Sequence, residues 1–299
     1  MHLYKMAKMV KIVLYNFSEV KYNEPIKSKP TGLKGWYIMK KFFAMILAVV
    51  VILSCFAGCD PEQKTVVVGY TNYAPMNYTD DNGELVGFDT ELAKAVFEAM
   101  GYQVIFKLID WNAKYTDLEA GNIDCVWNGF TCNTADDDGI LRSEKVDFSF
   151  NYMENRQVIV CKKDAGIASA ADLSGKQGGA ESGSAGETYG QSFEGATIKG
   201  FPYQTDCLLE VNAGSVDFAV VDAQLAKSYV GKGDYENLMI VEDLSSDVEF
   251  YAVGFKKGSA LTAKVNEQFE KLAANGTIMK LAEKYGVATT VITDFSDQK

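Results

Sequence analysis

From residue 64 onward the sequence alternates short apolar runs with amphipathic segments, and this alternation restricts the fold more than any other feature of the chain. Buried strands are predicted at residues 66–69 and 104–106, and between them Leu92, Val96 and Met100 recur at helical spacing. Strands that alternate with helices of about 10–15 residues are typical of an α/β architecture with largely parallel sheets. We therefore expect an α/β fold.

The motif Ala-Gly-x-(Ile/Val)-Asp occurs twice, at residues 120–124 and 213–217, each time between a predicted helix and a predicted strand. Two interpretations are open. The copies mark two lobes built on the same plan, or they are a common helix-to-strand junction, which is the interpretation that the motif alone favours.

Two local features are predicted just before the first helix. Residues 77–86 predict a β-hairpin, because Asn82-Gly83 is a signal for a type I′ turn. Asp89 follows this hairpin, and an aspartate in front of an amphipathic helix predicts an N-cap.

Charge divides the chain into two unlike parts. Residues 1–58 hold nine lysines and two acidic residues, whereas the rest holds 20 basic and 38 acidic residues, which gives net charges of +7 and −18. Nucleic-acid binding needs clusters of Lys and Arg that contact phosphates. The acidic part is therefore not expected to bind nucleic acid.

The boundary between these parts has the organisation of an export signal. A basic start at residues 39–41 precedes an apolar run at 42–56, and small residues lead to Cys59. This segment resembles the lipobox of bacterial lipoproteins, which implies a signal peptide at 39–58 and lipidation of Cys59. Cys55 is an alternative lipidation site, and an uncleaved membrane anchor is an alternative to cleavage. In either case the globular part lies outside the cytoplasm, attached to the membrane.

An export signal belongs at the N-terminus, yet here it begins at Met39. We therefore interpret residues 1–38 as a mistaken upstream extension of the reading frame, and Met39 as the true start of translation.

The chain has one histidine, His2, which precedes the export signal. The exported part therefore lacks the histidine of Ser-His-Asp and Cys-His catalysis and of most zinc sites. No enzyme activity, metal or cofactor is expected. The four remaining cysteines have no metal-ligand spacing, and their disulfide state stays open; they are Cys125, Cys132, Cys161 and Cys207.

Several short motifs recur in the order and spacing of one family. They are Tyr73-Ala74-Pro75-Met76, Gly87-Phe88-Asp89, residues 123–131, residues 142–149, residues 154–160, Gly183-Ser184 and Val221-Asp222. Over residues 64–290 the chain resembles the family-3 bacterial extracellular solute-binding proteins, the polar amino-acid receptors of ABC importers.

The resemblance implies the type II periplasmic-binding-protein fold, in which a hinge joins two lobes. Two extended segments, residues 155–160 and 249–255, are predicted to cross between the lobes. The first lobe then comprises residues 64–157 plus 252–290, and the second lobe comprises residues 158–251.

A free amino acid has a carboxylate and an ammonium, and burial of either charge without a partner is unfavourable by several kcal/mol. The resemblance assigns the carboxylate to Arg142, whose guanidinium can bind it bidentately. The alternative is a surface arginine, and the segment between Thr131 and Arg142 is longer than is usual in the family. By its position after a strand, Asp222 is predicted to pair with the ammonium; the alternative is a helix N-cap.

Neutral groups are expected to complete the recognition of the ligand's charged end. Thr131 is predicted to donate its hydroxyl and N–H to the carboxylate, and Gly129 to offer its carbonyl to the ammonium. Ser184 opens a predicted helix whose N–H groups suit an anion, and Ala185 contributes its N–H there.

The variable tail of the ligand is expected to meet four further side chains. Tyr73 and Trp111 are predicted to hold it between aromatic faces, although both are also consistent with ordinary core aromatics. Asn128 and Glu181 are predicted to read its polar end. A carboxylate at Glu181 favours a tail with hydrogen-bond donors or positive charge.

Together these features predict the extracytoplasmic, monomeric substrate-binding component of an ABC amino-acid importer. It would bind a free polar amino acid by hinge closure and deliver it to a membrane permease and its ATPase. Glutamine, cystine and basic amino acids all stay open as ligands. A dehydratase-like enzyme and a sensor domain on the same fold are the alternatives.

Overall fold

The computed structural model describes residues 64–298. The upstream extension, the signal peptide and Cys59 lie outside the described residues. Within residues 64–298 no helix has the length and apolarity needed to cross a membrane.

The described chain alternates strands and helices, as the sequence predicts. The strands are β1 (Lys64–Tyr70), β2 (Tyr78–Thr79), β3 (Leu85–Val86), β4 (Tyr102–Leu108), β5 (Cys125–Val126), β6 (Asp147–Phe148), β7 (Met153–Asn155), β8 (Gln157–Lys162), β9 (Gln177–Glu181), β10 (Thr197–Phe201), β11 (Phe218–Asp222), β12 (Leu238–Ser245), β13 (Glu249–Tyr251) and β14 (Gly254–Phe255). The α-helices are α1 (Phe88–Ala99), α2 (Lys114–Ala120), α3 (Arg142–Lys145), α4 (Ala185–Gln191), α5 (Gln204–Ala213), α6 (Ala223–Tyr229), α7 (Ala260–Ala274) and α8 (Thr277–Lys284).

Two five-stranded sheets organise the molecule, and both follow one topology. The first has the order β4-β1-β5-β14-β6 and the second the order β10-β9-β11-β8-β12. In each sheet three neighbouring strands are parallel, and a fourth runs antiparallel to them, β14 in the first sheet and β8 in the second. A two-stranded ladder of β7 and β13 lies where the chain passes between the sheets. The predicted α/β architecture is confirmed.

The repeated Ala-Gly-x-(Ile/Val)-Asp motif occupies the same place in both sheets. In each copy the glycine ends a helix with a positive φ, 72° in the first copy and 81° in the second. The carboxylate of Asp124 accepts a hydrogen bond from the Val67 N–H of β1 at 2.7 Å. The carboxylate of Asp217 accepts one from the Gln177 N–H of β9 at 2.8 Å. The motif therefore marks two lobes built on the same plan.

The predicted hairpin is present as β2 and β3, but its turn differs from the expected type I′. That turn requires a positive φ at Asn82, and among the described residues only glycines have one. The carboxylate of Asp80 instead accepts hydrogen bonds from the N–H groups of Asn82 and Glu84, each at 2.9 Å. An aspartate side chain thus stabilises a wider loop than the Asn-Gly pair predicts.

Candidate ligand-binding site

The carboxyl ends of strands from both sheets meet one small cavity. Its empty space is at most about 280 Å³ with its mouth included. A space of this size suits only a small molecule. It is lined by Trp111, Asn128, Gly129, Thr131, Arg142, Gln157, Glu181, Ser184, Ala185, Gln204 and Asp222.

Nine of the ten residues predicted to bind the ligand line this cavity, and Tyr73 does not. The structure thus brings together side chains that are as far apart in the sequence as Trp111 and Asp222. Their individual roles toward a ligand stay predictions.

The lobes touch each other across the mouth of the cavity. Lys114 Nζ donates a hydrogen bond to the Gly183 carbonyl at 3.0 Å, and Thr188 Oγ1 donates one to Asp137 Oδ1 at 2.7 Å. Lys114 and Asp137 belong to the side of the first sheet, whereas Gly183 and Thr188 belong to the side of the second. These contacts describe a closed arrangement of the two lobes.

Arg142 begins α3 and is 1% exposed, so the alternative of a surface arginine is wrong. Its Nε donates to Asp136 Oδ1 at 2.8 Å, and its Nη1 donates to the Thr131 carbonyl at 3.2 Å. The Nη2 atom lies 3.5 Å from the Gly183 carbonyl of the opposite lobe. The guanidinium therefore reaches the cavity with its Nε side already committed to a carboxylate.

Asp136 lies in the long segment between Thr131 and Arg142, and it ties that segment down. Its second oxygen accepts hydrogen bonds from Tyr115 Oη at 2.6 Å and Lys145 Nζ at 2.8 Å. Burial raises the pKa of Asp136, but Arg142, Lys145 and Tyr115 more than offset this effect and lower the pKa to about 2. The extra length of the segment thus supplies a permanent counter-ion for Arg142.

Asp89 holds the backbone of Gly129 in place. Its predicted role as a helix N-cap is wrong. The helix N-cap is Gly87, without a side-chain bond, and Asp89 lies in the first turn with its carboxylate buried. Asp89 Oδ2 accepts hydrogen bonds from the Gly129 N–H at 2.7 Å and from Tyr152 Oη at 2.9 Å. Burial raises the pKa of Asp89 to about 7. Asp89 accepts a hydrogen bond from the buried Gly129 N–H, and this bond contributes more to stability than a capping bond at a solvated helix end would.

Tyr73 supports this loop from inside the first lobe. Its hydroxyl shares a hydrogen bond of 2.6 Å with the hydroxyl of Tyr251. A Cβ atom at Gly129, which has φ +57°, would lie 2.6 Å from Tyr73 Cε1. The geometry therefore favours the core-aromatic interpretation of Tyr73, and only glycine fits at position 129.

Asn128 and Thr131 line the cavity, but their polar groups are already engaged. The Asn128 amide accepts from Thr71 Oγ1 at 2.7 Å and donates to Asn77 Oδ1 at 2.7 Å. The Thr131 hydroxyl donates to Glu249 Oε2 at 3.2 Å. Asn128 thus fixes the loop after β5, and the N–H of Thr131 is the group better placed to serve a ligand.

Asp222 ends β11 and lies in a cradle of side-chain amides. Oδ1 accepts from Asn155 Nδ2 at 2.6 Å and from Gln157 Nε2 at 2.7 Å, and Oδ2 accepts from Gln204 Nε2 at 2.5 Å. Although Asp222 occupies the N-cap position of α6, its side chain makes no capping bond, so that alternative is wrong. Burial raises the pKa of Asp222, and the amide donors oppose this effect.

Glu181 ends β9, the parallel neighbour of β11, and is 3% exposed. Burial and the negative charge of Asp222 raise its pKa well above the usual value, and Lys114 opposes them. Ser184 is the N-cap of α4 and accepts from the Glu187 N–H at 3.1 Å, while Ala185 is the first residue of that helix.

Lys114 is a buried cation that the sequence reasoning missed. Its ammonium lies 5.0 Å from the centroid of the Trp111 ring and 4.6 Å from that of Tyr115. Burial and the positive charge of Arg142 lower the pKa of Lys114 to about 7. Trp111 is 5% exposed, and its Nε1 donor has no partner within the described part of the chain.

Gln157 and Gln204 were also missed, as was the buried Glu249 behind the cavity. The sequence carried a signal for Gln157. Asn155 and Gln157 are two residues apart in an extended segment that was predicted to cross between the lobes, so their side chains are expected on the same face. For Gln204, at the start of α5, the sequence carries no such signal.

The four cysteines of the described chain are free thiols. Among residues 64–298 there is no cluster of three or more His, Cys, Asp or Glu side chains that could hold a metal ion.

Comparisons with known proteins agree with this geometry. The sequence model of the bacterial extracellular solute-binding proteins, family 3, matches residues 66–288. The arginine-binding extracellular protein ArtP of Bacillus subtilis is 29% identical over 259 residues, which cover 85% of this chain and 98% of ArtP. The L-cystine-binding protein TcyA of the same organism is 27% identical over 261 residues, covering 81% of this chain and 94% of TcyA.

Solved structures are similar over most of the described chain. An ancestral arginine-binding protein bound to arginine has a TM-score of 0.67 and 34% identity, covering 74% of this chain and 97% of that one. A substrate-binding protein of an ABC uptake transporter from Streptococcus pneumoniae, with bound histidine, has a TM-score of 0.65 and 31% identity, covering 74% and 92%. The expected two-lobed type II fold is thereby confirmed. The chain belongs to family 3 of the bacterial extracellular solute-binding proteins.

Proposed function

We propose that this protein is the extracytoplasmic receptor of an ABC amino-acid importer, which binds a free amino acid without changing it chemically. The observation that carries this proposal is the pairing of opposite charges across one small cavity. Arg142 enters it from the first lobe and Asp222 from the second, and both side chains are buried. A zwitterion of amino-acid size matches this pair. The relatives named for arginine, histidine and cystine binding support it.

In the proposed complex the ligand carboxylate lies against the Nη atoms of Arg142 and the N–H of Thr131. The ammonium lies against the carboxylate of Asp222 and the carbonyl of Gly129, while Ser184 and Ala185 close over the carboxylate from the second lobe. Because these groups belong to different lobes, the ligand is fully satisfied only when the lobes close.

We further propose residues 64–157 plus 252–290 as the first lobe and residues 158–251 as the second. Strand membership supports these boundaries, because β14 belongs to the first sheet and β8 to β12 belong to the second. The β7 and β13 ladder, at residues 153–155 and 249–251, would then be the hinge.

The attachment and partners of the protein are part of the same proposal. Residues 39–58 would be removed as a signal peptide, and Cys59 would carry the lipid that holds a monomer at the membrane, beside a permease and its ATPase. Metabolic labelling with a radioactive fatty acid tests the anchor. Label in the wild-type chain and none in Cys59→Ser is expected, and equal label in Cys59→Ser would contradict this site. Mass-spectrometric detection of peptides from residues 1–38 would contradict the proposed start at Met39.

Isothermal titration calorimetry with the twenty amino acids and cystine tests the receptor function. Saturable binding of a small group of them, with one ligand per chain, is expected. The matched variant Asp222→Asn should keep the fold and lose most of this affinity. Absence of binding to every amino acid would refute the proposal, and conversion of a bound ligand, followed by mass spectrometry, would favour the dehydratase-like alternative.

A further inference from the structure

Three buried carboxylates lie close together at one side of the cavity. Glu181 and Asp222 end the neighbouring parallel strands β9 and β11, and Glu249 begins β13. Gln157 Nε2 donates to Asp222 Oδ1 at 2.7 Å and to Glu249 Oε2 at 2.9 Å, which joins these two carboxylates. All three residues are less than 7% exposed. We call this group the acidic wall.

No carboxylate of the acidic wall forms an ion pair within the described part of the chain, although the positive charge of Lys114 acts on Glu181 from a distance. None of the ion pairs among residues 64–298 includes one of its three carboxylates. The cavity's own arginine, Arg142, is paired with Asp136. Lys114 donates to the Gly183 carbonyl and lies over aromatic rings. Buried carboxylates in proteins are paired with a positive charge or bind a proton, and a positively charged ligand group in the cavity would supply the pairing.

A single ammonium group on the ligand can form an ion pair with only one part of the acidic wall. An α-ammonium paired with Asp222 leaves the carboxylate of Glu181, on the next strand, without an ion pair. A second positive charge on the ligand, a few ångströms from its ammonium, would lie against Glu181. Trp111 also lines the cavity, and an aromatic face stabilises a cation in contact with it.

We propose that Glu181 is the specificity-determining residue for a positively charged tail, and that the ligand class of this receptor is the basic amino acids. This inference rests on the proposed function and narrows it. An amino acid with an acidic tail is excluded, because its carboxylate would add a further negative charge to the acidic wall. A neutral amide or urea tail can donate hydrogen bonds to Glu181 but leaves its charge without a counter-charge.

Arginine and citrulline form a matched ligand pair for the test. Both have the same chain length and a planar end group, but the guanidinium of arginine is charged and the urea group of citrulline is neutral. Calorimetric titration of the full-length chain with arginine, lysine, citrulline, glutamine and glutamate measures the preference. The isosteric variant Glu181→Gln removes the charge of the acidic wall, and Glu194→Gln, an exposed position on the same lobe, is the control.

For the wild-type chain and for Glu194→Gln, we expect the affinity for arginine or lysine to be at least about thirtyfold higher than the affinity for citrulline or glutamine. A ratio of this size is what a buried charge pair contributes. In Glu181→Gln this ratio falls to about threefold or less. If citrulline or glutamine binds the wild-type chain as tightly as arginine, the positively charged tail is refuted while the amino-acid receptor stands.

The remaining outcomes of this experiment distinguish failure of the role of Glu181 from failure of the proposed function. An unchanged arginine-to-citrulline ratio in a folded Glu181→Gln variant would refute the role of Glu181. If no amino acid binds at all, the proposed function fails and this inference fails with it. Should Glu181→Gln not fold, the ligand ratios of the wild-type chain alone decide between a charged and a neutral tail.

Discussion

Replacement of Asp89 by asparagine is expected to change how the stability of the protein depends on pH. One carboxylate oxygen of Asp89 accepts hydrogen bonds from Gly129 and Tyr152, and the other, Oδ1, is buried without a partner among the described residues. Burial raises the pKa of this carboxyl from 3.8 to about 7. Such a difference corresponds to about 4 kcal/mol between the two protonation states.

The sign of the effect follows from proton linkage. Because the folded state binds the Asp89 proton more tightly than the unfolded state does, the free energy of unfolding falls as pH rises from about 4 to about 7. Asparagine has no such proton and preserves the two acceptor contacts. Relative to the wild-type protein, Asp89→Asn should therefore gain about 4 kcal/mol between pH 4 and pH 8.

Urea unfolding at half-unit steps of pH, followed by circular dichroism, measures this difference. The wild-type protein also contains Glu249, whose pKa burial raises to about 7, but its contribution is common to both proteins and cancels. The exposed Asp81→Asn is the control for the loss of one carboxyl group from the chain. A difference between Asp89→Asn and the wild-type protein that varies by less than about 1 kcal/mol over this range would refute the burial of an uncompensated carboxyl.

Three further predictions concern the cavity and its closure. Gly129→Ala places a Cβ 2.6 Å from Tyr73 Cε1 at a φ of +57°, so we expect a loss of stability of about 1–3 kcal/mol in urea unfolding and at least tenfold weaker amino-acid binding; a variant with wild-type affinity would contradict the tight fit. Asp222→Asn should weaken amino-acid binding in calorimetry by about thirtyfold or more, and a change below threefold would show that Asp222 does not pair with the ammonium. Thr188→Val removes the hydroxyl that donates to Asp137 across the cleft, and we expect two- to tenfold weaker binding together with a larger radius of gyration in X-ray scattering; unchanged values of both would show that this contact does not hold the lobes together.

The sequence was sufficient for the fold and for nine of the eleven positions that line the cavity. Alternating strands and helices predicted the α/β architecture, and nine of the ten predicted positions line one cavity. This is possible because parallel strands end at one edge of their sheet, and ligand sites in α/β proteins lie at that edge. Asp222 was identified from such a strand end, whereas Glu181 was identified through the resemblance to the family.

The partners of those residues could not be predicted, because they depend on contacts between distant segments. Asp89 was taken for a helix cap since a local rule explains an aspartate at that position, yet its carboxylate serves Gly129, 40 residues away. The segment before Arg142 is longer than is usual in the family, and the sequence offered no reason for the extra length. In the folded chain its Asp136 is instead the counter-ion of that arginine.

Closure of the lobes and recognition of the ligand are linked through the same buried charges. In the closed arrangement Glu181, Asp222 and Glu249 are buried without an ion pair among residues 64–298, and ionised carboxylates in such surroundings are unfavourable by several kcal/mol even where amides donate to them. Contacts such as that of Lys114 with the Gly183 carbonyl favour closure, but each neutral or singly charged hydrogen bond contributes only about 0.5–3 kcal/mol. A ligand that brings positive charge between the lobes removes the unfavourable term. Under the proposed function we therefore expect a ligand to increase the population of the closed form, which is the property that a permease would need in order to distinguish a loaded receptor from an empty one.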